Sequence, residues 1–119
     1  MANRFRITLA QLNPTVGDLA GNVGRALDAW KVGRDADADL VALPEMFVTG
    51  YQTQDLVMKE AFTRDAMAHL DRLREETRDG PALGIGGPLL QGGKLFNAYH
   101  IFKDGRLISQ ILKLSLIHI

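Results

Sequence analysis

Apolar and polar positions along the chain recur with two periods, and their order predicts a sheet flanked by helices. Residues 5–11 set Ile7 and Leu9 against Arg6 and Thr8, the two-residue period of a strand. Asn13-Pro14-Thr15-Val16-Gly17 is turn chemistry, and Asp18 after it is suited to cap a helix. From 19 to about 34, Val23, Leu27 and Trp30 recur at helical spacing. Gly21, Gly24 and Gly33 lower that segment's intrinsic propensity, so tertiary packing has to hold the helix. Residues 40–43 are a short apolar run of buried-strand character, and Pro44 ends it because proline offers no ladder N–H. A second helix is expected over roughly 56–78, capped by Gln54 and Asp55, with room for a break near Lys59. Phe62, Ala66, Leu70 and Leu73 mark its buried side, and Arg72, Arg74, Glu75 and Glu76 its wet side. Asp79-Gly80-Pro81 closes it. Residues 82–86 read as a third strand, and 95–102 and 107–112 as two more, joined through the hairpin signal Asp104-Gly105. The order β-α-β-α-β-hairpin predicts an α/β fold with both helices on one face of the sheet and antiparallel strands toward its end.

Composition narrows the partners. A chain of 119 residues makes one domain with a real core. Lys plus Arg equals Asp plus Glu at 14 each, and no basic stripe stands out, which argues against a nucleic-acid partner. Cysteine is absent, so disulfides, thiolate metal sites and a cysteine nucleophile are excluded within these residues. The first ten residues lack the long apolar region of a signal peptide, and the longest uncharged run, 80–93, is too short to span a bilayer. A cytoplasmic protein without a membrane partner is the expectation.

Three motifs invite a ligand and are set aside. The acidic run 35–39 lacks the spacing, turn glycine and terminal glutamate of a calcium loop and reads as a solvated connector. Gly84-Ile85-Gly86-Gly87 does not open into a helix, as a phosphate loop must, so its glycines are expected to permit close backbone approach at a sheet edge or turn. His69, beside the apolar stripe of the second helix, reads as a packing residue.

Glu45 is the candidate that remains. It stands just beyond the carboxyl end of the second strand, the edge at which open α/β sheets bind ligands. The largely apolar residues 46–51 are expected to wall in its carboxylate, which is costly unless a cation, hydrogen bonds or a reaction uses it. The alternative is a glutamate that caps a neighbouring helix or faces water. Lys113 closes the last strand, and on local grounds alone a lysine there is solvated.

Together these segments resemble the nitrilase-related carbon–nitrogen hydrolases, above all the amino-terminal glutaminase domain of the glutamine-dependent NAD synthetases. The resemblance rests on Ile7-Thr-Leu-Ala-Gln-Leu-Asn-Pro-Thr-Val-Gly-Asp18 with Gly21 and Asn22, and on Ala38-Asp-Leu-Val-Ala-Leu-Pro-Glu-Met46 continuing to Gly50 and Tyr51. It extends to Phe96-Asn-Ala-Tyr99 through Gly105, and to Lys113. Thr49-Gly50-Tyr51 followed by 52–56 points to the NAD synthetase branch. The resemblance implies the amino-terminal half of an α-β-β-α sandwich over residues 1–113. It implies that Glu45 is the general base and that Lys113 stabilises the oxyanion, each partly neutralising the other, in a site completed by a cysteine. It also implies glutamine as the substrate, a homo-oligomeric parent, and no metal or cofactor in this domain. ATP and magnesium belong only to a synthetase domain. Residues that bind the substrate are not identified. Residues 114–119 depart from the family's pattern, and with the cysteine missing they are expected to be an aberrant or non-native tail on a fragment that is itself inactive. A stand-alone nitrilase-like amidase and a non-catalytic nitrilase-like module are the alternatives.

Overall fold

A computed structural model describes residues 4–50 and 60–114. The expected caps Gln54 and Asp55, Tyr51 and residues 115–119 lie outside the described residues. Five strands form one sheet in sequence order: β1 Ile7–Leu9, β2 Leu40–Ala42, β3 Ala82–Gln91, β4 Lys94–Lys103 and β5 Arg106–Leu114. Strands β1, β2 and β3 pair in parallel, whereas β3–β4 and β4–β5 are antiparallel. Among the described residues, two helices, α1 Leu19–Asp35 and α2 Glu60–Glu76, lie in the crossovers. Among the described residues, no helix is long and apolar enough to cross a membrane.

Local chemistry accounts for most boundaries. Asp18 caps α1 by accepting from the Gly21 N–H at 3.1 Å. The predicted stripe is buried at Val23 and Trp30, with Leu27 packed against the same core. The Trp30 indole N–H donates to the Pro81 carbonyl at 2.9 Å, tying α1 to the chain entering β3. On α2, Ala66, Leu70 and Leu73 are buried as the sequence pattern requires. Asp104 and Gly105 both have positive φ, the backbone a two-residue hairpin turn needs.

Two expectations change. The third strand does not stop at Gly86 but continues through Pro88 to Gln91, turning at Gly92 and Gly93 with φ of +59° and +75°. Proline is tolerated there because β2 has already ended, so β4 alone flanks β3 at Pro88. The second change concerns β1, where the apolar residues are the exposed ones: Ile7 is 51% and Leu9 71% exposed. It is Thr8 that approaches α1, close to Gly33.

The core lies between the helices and one face of the sheet, with Val41, Leu83, Ile85 and Phe102 meeting Val23, Trp30, Leu70 and Leu73. Among the described residues, no helix lies over the opposite face. This helix-on-sheet layer corresponds to one half of an α-β-β-α sandwich.

Candidate active site

Glu45 follows β2 by three residues, and the chain around it is held from both sides. Beyond Ala42, the Leu43 N–H donates to Gly84 O at 2.8 Å, the Gly86 N–H to Pro44 O at 3.2 Å, and the Val48 N–H to Gly86 O at 3.1 Å. The turn therefore lies directly against β3. A Cβ at Gly86 would run into the Met46 nitrogen and fall 2.6 Å from the Glu45 Cα, so only glycine lets the turn approach this closely. Tyr99 secures the strand end from β4: its hydroxyl, stacked over Gly84, donates to Leu43 O at 2.8 Å. Burial pushes that hydroxyl up from its ordinary pKa, with the bond to Leu43 opposing.

The far end of the turn is anchored by Asn22 of α1, which is fully buried. Its amide donates to Thr15 O at 2.8 Å and Val48 O at 3.0 Å, while its Oδ1 accepts from the Thr15 N–H at 2.8 Å. Gly17 N–H adds a bond to Thr49 O at 2.9 Å. One helix side chain thus clamps both the turn before α1 and the turn after Glu45.

The apolar residues after Glu45 do not enclose its carboxylate, contrary to the expectation from sequence. Phe47 and Val48 point into the core instead and are fully buried, whereas Glu45 itself is exposed. They fix the turn rather than dry the charge. Among the described residues, the carboxylate's one hydrogen-bond partner is the amide of Asn97 on β4, with Nδ2 at 2.9 Å from Oε1.

Lys113 also meets this side of the molecule, by register. It stands directly opposite Asn97 in the β4–β5 ladder, and the pairs Tyr99–Ile111 and Pro88–Asn97 fix the face both share. Lys113 is exposed, and no ion pair within 4.0 Å joins it to Glu45. The expected mutual neutralisation is therefore not a contact pair. Two strands, β3 and β4, lie between β2 and β5. Since β5 runs parallel to β2, both residues nonetheless sit toward the same end of the sheet. Asn97 is bonded to the one residue and paired by register with the other. Sequence reasoning had it only as part of the Phe-Asn-Ala-Tyr segment, with no role attached. The Asp104-Gly105 turn alone would pair Asn97 with Leu112; a register shift between Ile101 and Phe102 sets it opposite Lys113 instead, and no local signal announces that shift.

Among the described residues, no group of His, Asp or Glu side chains is arranged to hold a metal ion. His69 stays on the helix edge, away from this arrangement.

The described site is thus a carboxylate beyond a parallel strand's carboxyl end, bonded to an amide that is paired by register with a lysine. Comparison with known proteins identifies the family. The family model for carbon–nitrogen hydrolases matches residues 6–118, and the chain belongs to that family. It is 62% identical over 118 residues to the glutamine-dependent NAD(+) synthetase of Rhodobacter capsulatus, covering 99% of this chain and 21% of that protein. The crystal structure of a glutamine-dependent NAD(+) synthetase from Cytophaga hutchinsonii superposes with a TM-score of 0.86 at 26% identity, over 94% of this chain and 19% of that one. An amidase from Nesterenkonia sp. shares the fold, with a TM-score of 0.79 at 22% identity, over 94% of this chain and 43% of the amidase. The chain thus spans about a fifth of the length of the synthetases it matches. It contains no cysteine.

Proposed function

We propose that this chain is the amino-terminal part of the glutaminase domain of a glutamine-dependent NAD synthetase. In that reading Glu45 is the general base and Lys113 the oxyanion-stabilising cation. The nucleophile is a cysteine contributed by chain beyond these 119 residues, so this stretch does not hydrolyse glutamine alone. The reaction consumes water and releases ammonia and glutamate. Glu45 takes the thiol proton so that a thiolate can attack the carboxamide carbon, and later passes a proton to the departing ammonia. The Lys113 ammonium meets the negative charge that develops on the carbonyl oxygen. The domain needs no metal or cofactor for these steps. ATP and magnesium serve only the synthetase part, which amidates an adenylated nicotinate dinucleotide with the ammonia. The observation that supports this reading is the Glu45–Asn97 bond, which brings the carboxylate just beyond β2 beside the residue paired with Lys113.

Reading the gene beyond the codon for Lys113 is the first test. A cysteine-bearing strand–turn segment is expected within roughly the next hundred residues, about a domain's worth of chain. Its absence ends the assignment. In the full-length protein, ammonia release from glutamine should then fall on the order of 100- to 1,000-fold in Glu45→Gln and in Lys113→Met. Unchanged rates in both would remove these residues from the chemistry.

A further inference from the structure

The Glu45–Asn97 bond leaves one atom without a counterpart. A carboxylate only accepts hydrogen bonds, so Asn97 must turn its NH2 group toward Glu45. That orientation sends Oδ1 the other way, and there it is buried with no hydrogen-bond partner among the described residues. A buried acceptor left unpaired is unfavourable. Directly across the ladder stands Lys113, which has no ion-pair partner among the described residues and an ammonium that can only donate. Residues opposite one another in an antiparallel pair have Cβ atoms about 5 Å apart, well within a lysine stem's reach.

We infer that Asn97 is a positioning residue that bridges the two charges, its Nδ2 holding Glu45 and its Oδ1 receiving the Lys113 ammonium. An uncharged amide suits this place because it donates on one side and accepts on the other. A direct contact between carboxylate and ammonium would occupy the groups that the reaction needs. Through Asn97, one Glu45 oxygen is held while the second is left to take a proton. One Lys113 hydrogen is held while the others are left for an incoming oxyanion. The functional half of this inference rests on the glutaminase reading, whereas the bridge rests on the Glu45–Asn97 bond, the unpaired Oδ1 and the register of Lys113.

The bridge can be tested in the full-length protein by NMR of the selectively labelled Asn97 side-chain amide. Lys113→Met should shift the Asn97 carbonyl carbon, and Glu45→Gln should shift its NH2 signals. Both substitutions fall at exposed positions, so the fold survives them. An Asn97 carbonyl carbon indifferent to Lys113→Met overturns the bridge. The functional half is tested in the full-length protein with Asn97→Asp, which keeps the acceptor for Lys113 but loses the donor to Glu45. Misplacing a reacting group by about 1 Å costs on the order of 100-fold, so kcat should fall by about that factor while KM for glutamine stays nearly constant. A kcat equal to that of the unsubstituted protein would overturn the positioning role. An unsubstituted protein that releases no ammonia from glutamine would remove the glutaminase reading, and the role with it. The NMR result then decides the bridge independently.

Discussion

The helix-covered face of the sheet and the face turned away from the helices are built from alternating residues of the same five strands, yet they carry opposite chemistry. On the covered side Val41, Leu83, Ile85, Ala98 and Phe102 are buried against α1 and α2. On the other side Ile7, Leu9 and Ile111 lie more than half exposed, next to a polar end made of Glu45, Asn97 and Lys113. Apolar side chains on both faces mean that the sequence encodes burial on both. An apolar face of this extent left bare is unusual for a monomeric domain, and in an α-β-β-α sandwich it is the face that the second sheet occupies. The contrast separates the residues that make this layer fold from those that serve its surroundings.

The strongest test of that separation is Phe47→Ala. Phe47 is fully buried, so its removal should cost about 3–5 kcal/mol, read as a lower urea midpoint. It should also loosen the Glu45 turn, since Phe47 anchors that turn from the covered side. A loss below about 1 kcal/mol would mean the turn is held by its hydrogen bonds alone.

An intermediate effect is expected from His100, a covered-side residue of β4 that is 4% exposed and stacks on Phe102 at 5.9 Å between ring centroids. Its Nδ1 lies 3.0 Å from Gln110 Nε2, while its Nε2 is buried without a hydrogen-bond partner among the described residues. Burial holds the imidazole below its ordinary pKa of 6.5, against weaker opposing effects of the Gly87 backbone and Asp71. The unfolded chain therefore binds this proton more readily than the folded one. The contribution is present above about pH 6.5 and is lost as the pH falls below it. Thermal midpoints should drop from pH 7 to pH 5, and less in His100→Gln. An equal drop in both proteins would assign the acid sensitivity elsewhere.

The smallest effect belongs to the bare face. Leu9→Ala, at a position 71% exposed, should change stability by no more than about 0.5 kcal/mol in this chain. A cost approaching that of Phe47→Ala would show that something already covers this face in solution.

The sequence was most legible where a local rule decided the outcome. The Asp18 cap, the stripe Ala66–Leu70–Leu73 and the Asp104-Gly105 hairpin each follow from a few neighbouring residues. It was least legible where an answer depended on which face of the sheet receives the helices. Ile7 and Leu9 alternate as a core strand should, yet nothing in the alternation says which layer they meet. The same limit affected the site. Position singled out Glu45, and only the family resemblance singled out Lys113, while the destination of Phe47 and Val48, and the bond from Asn97 to Glu45, required knowing how β3 and β4 cross the turn. Asn22 was visible only as part of a motif. Its three bonds join segments far apart in the chain, beyond the reach of any periodicity.

The two tight turns that link β3, β4 and β5 bear on the order in which this layer assembles. Hairpin strands close short loops, whereas β2 reaches β3 only after a crossover that contains α2. Contacts local in sequence form sooner than distant ones. The meander bearing Asn97 and Lys113 is therefore expected to pair before β2 docks and brings Glu45 to it.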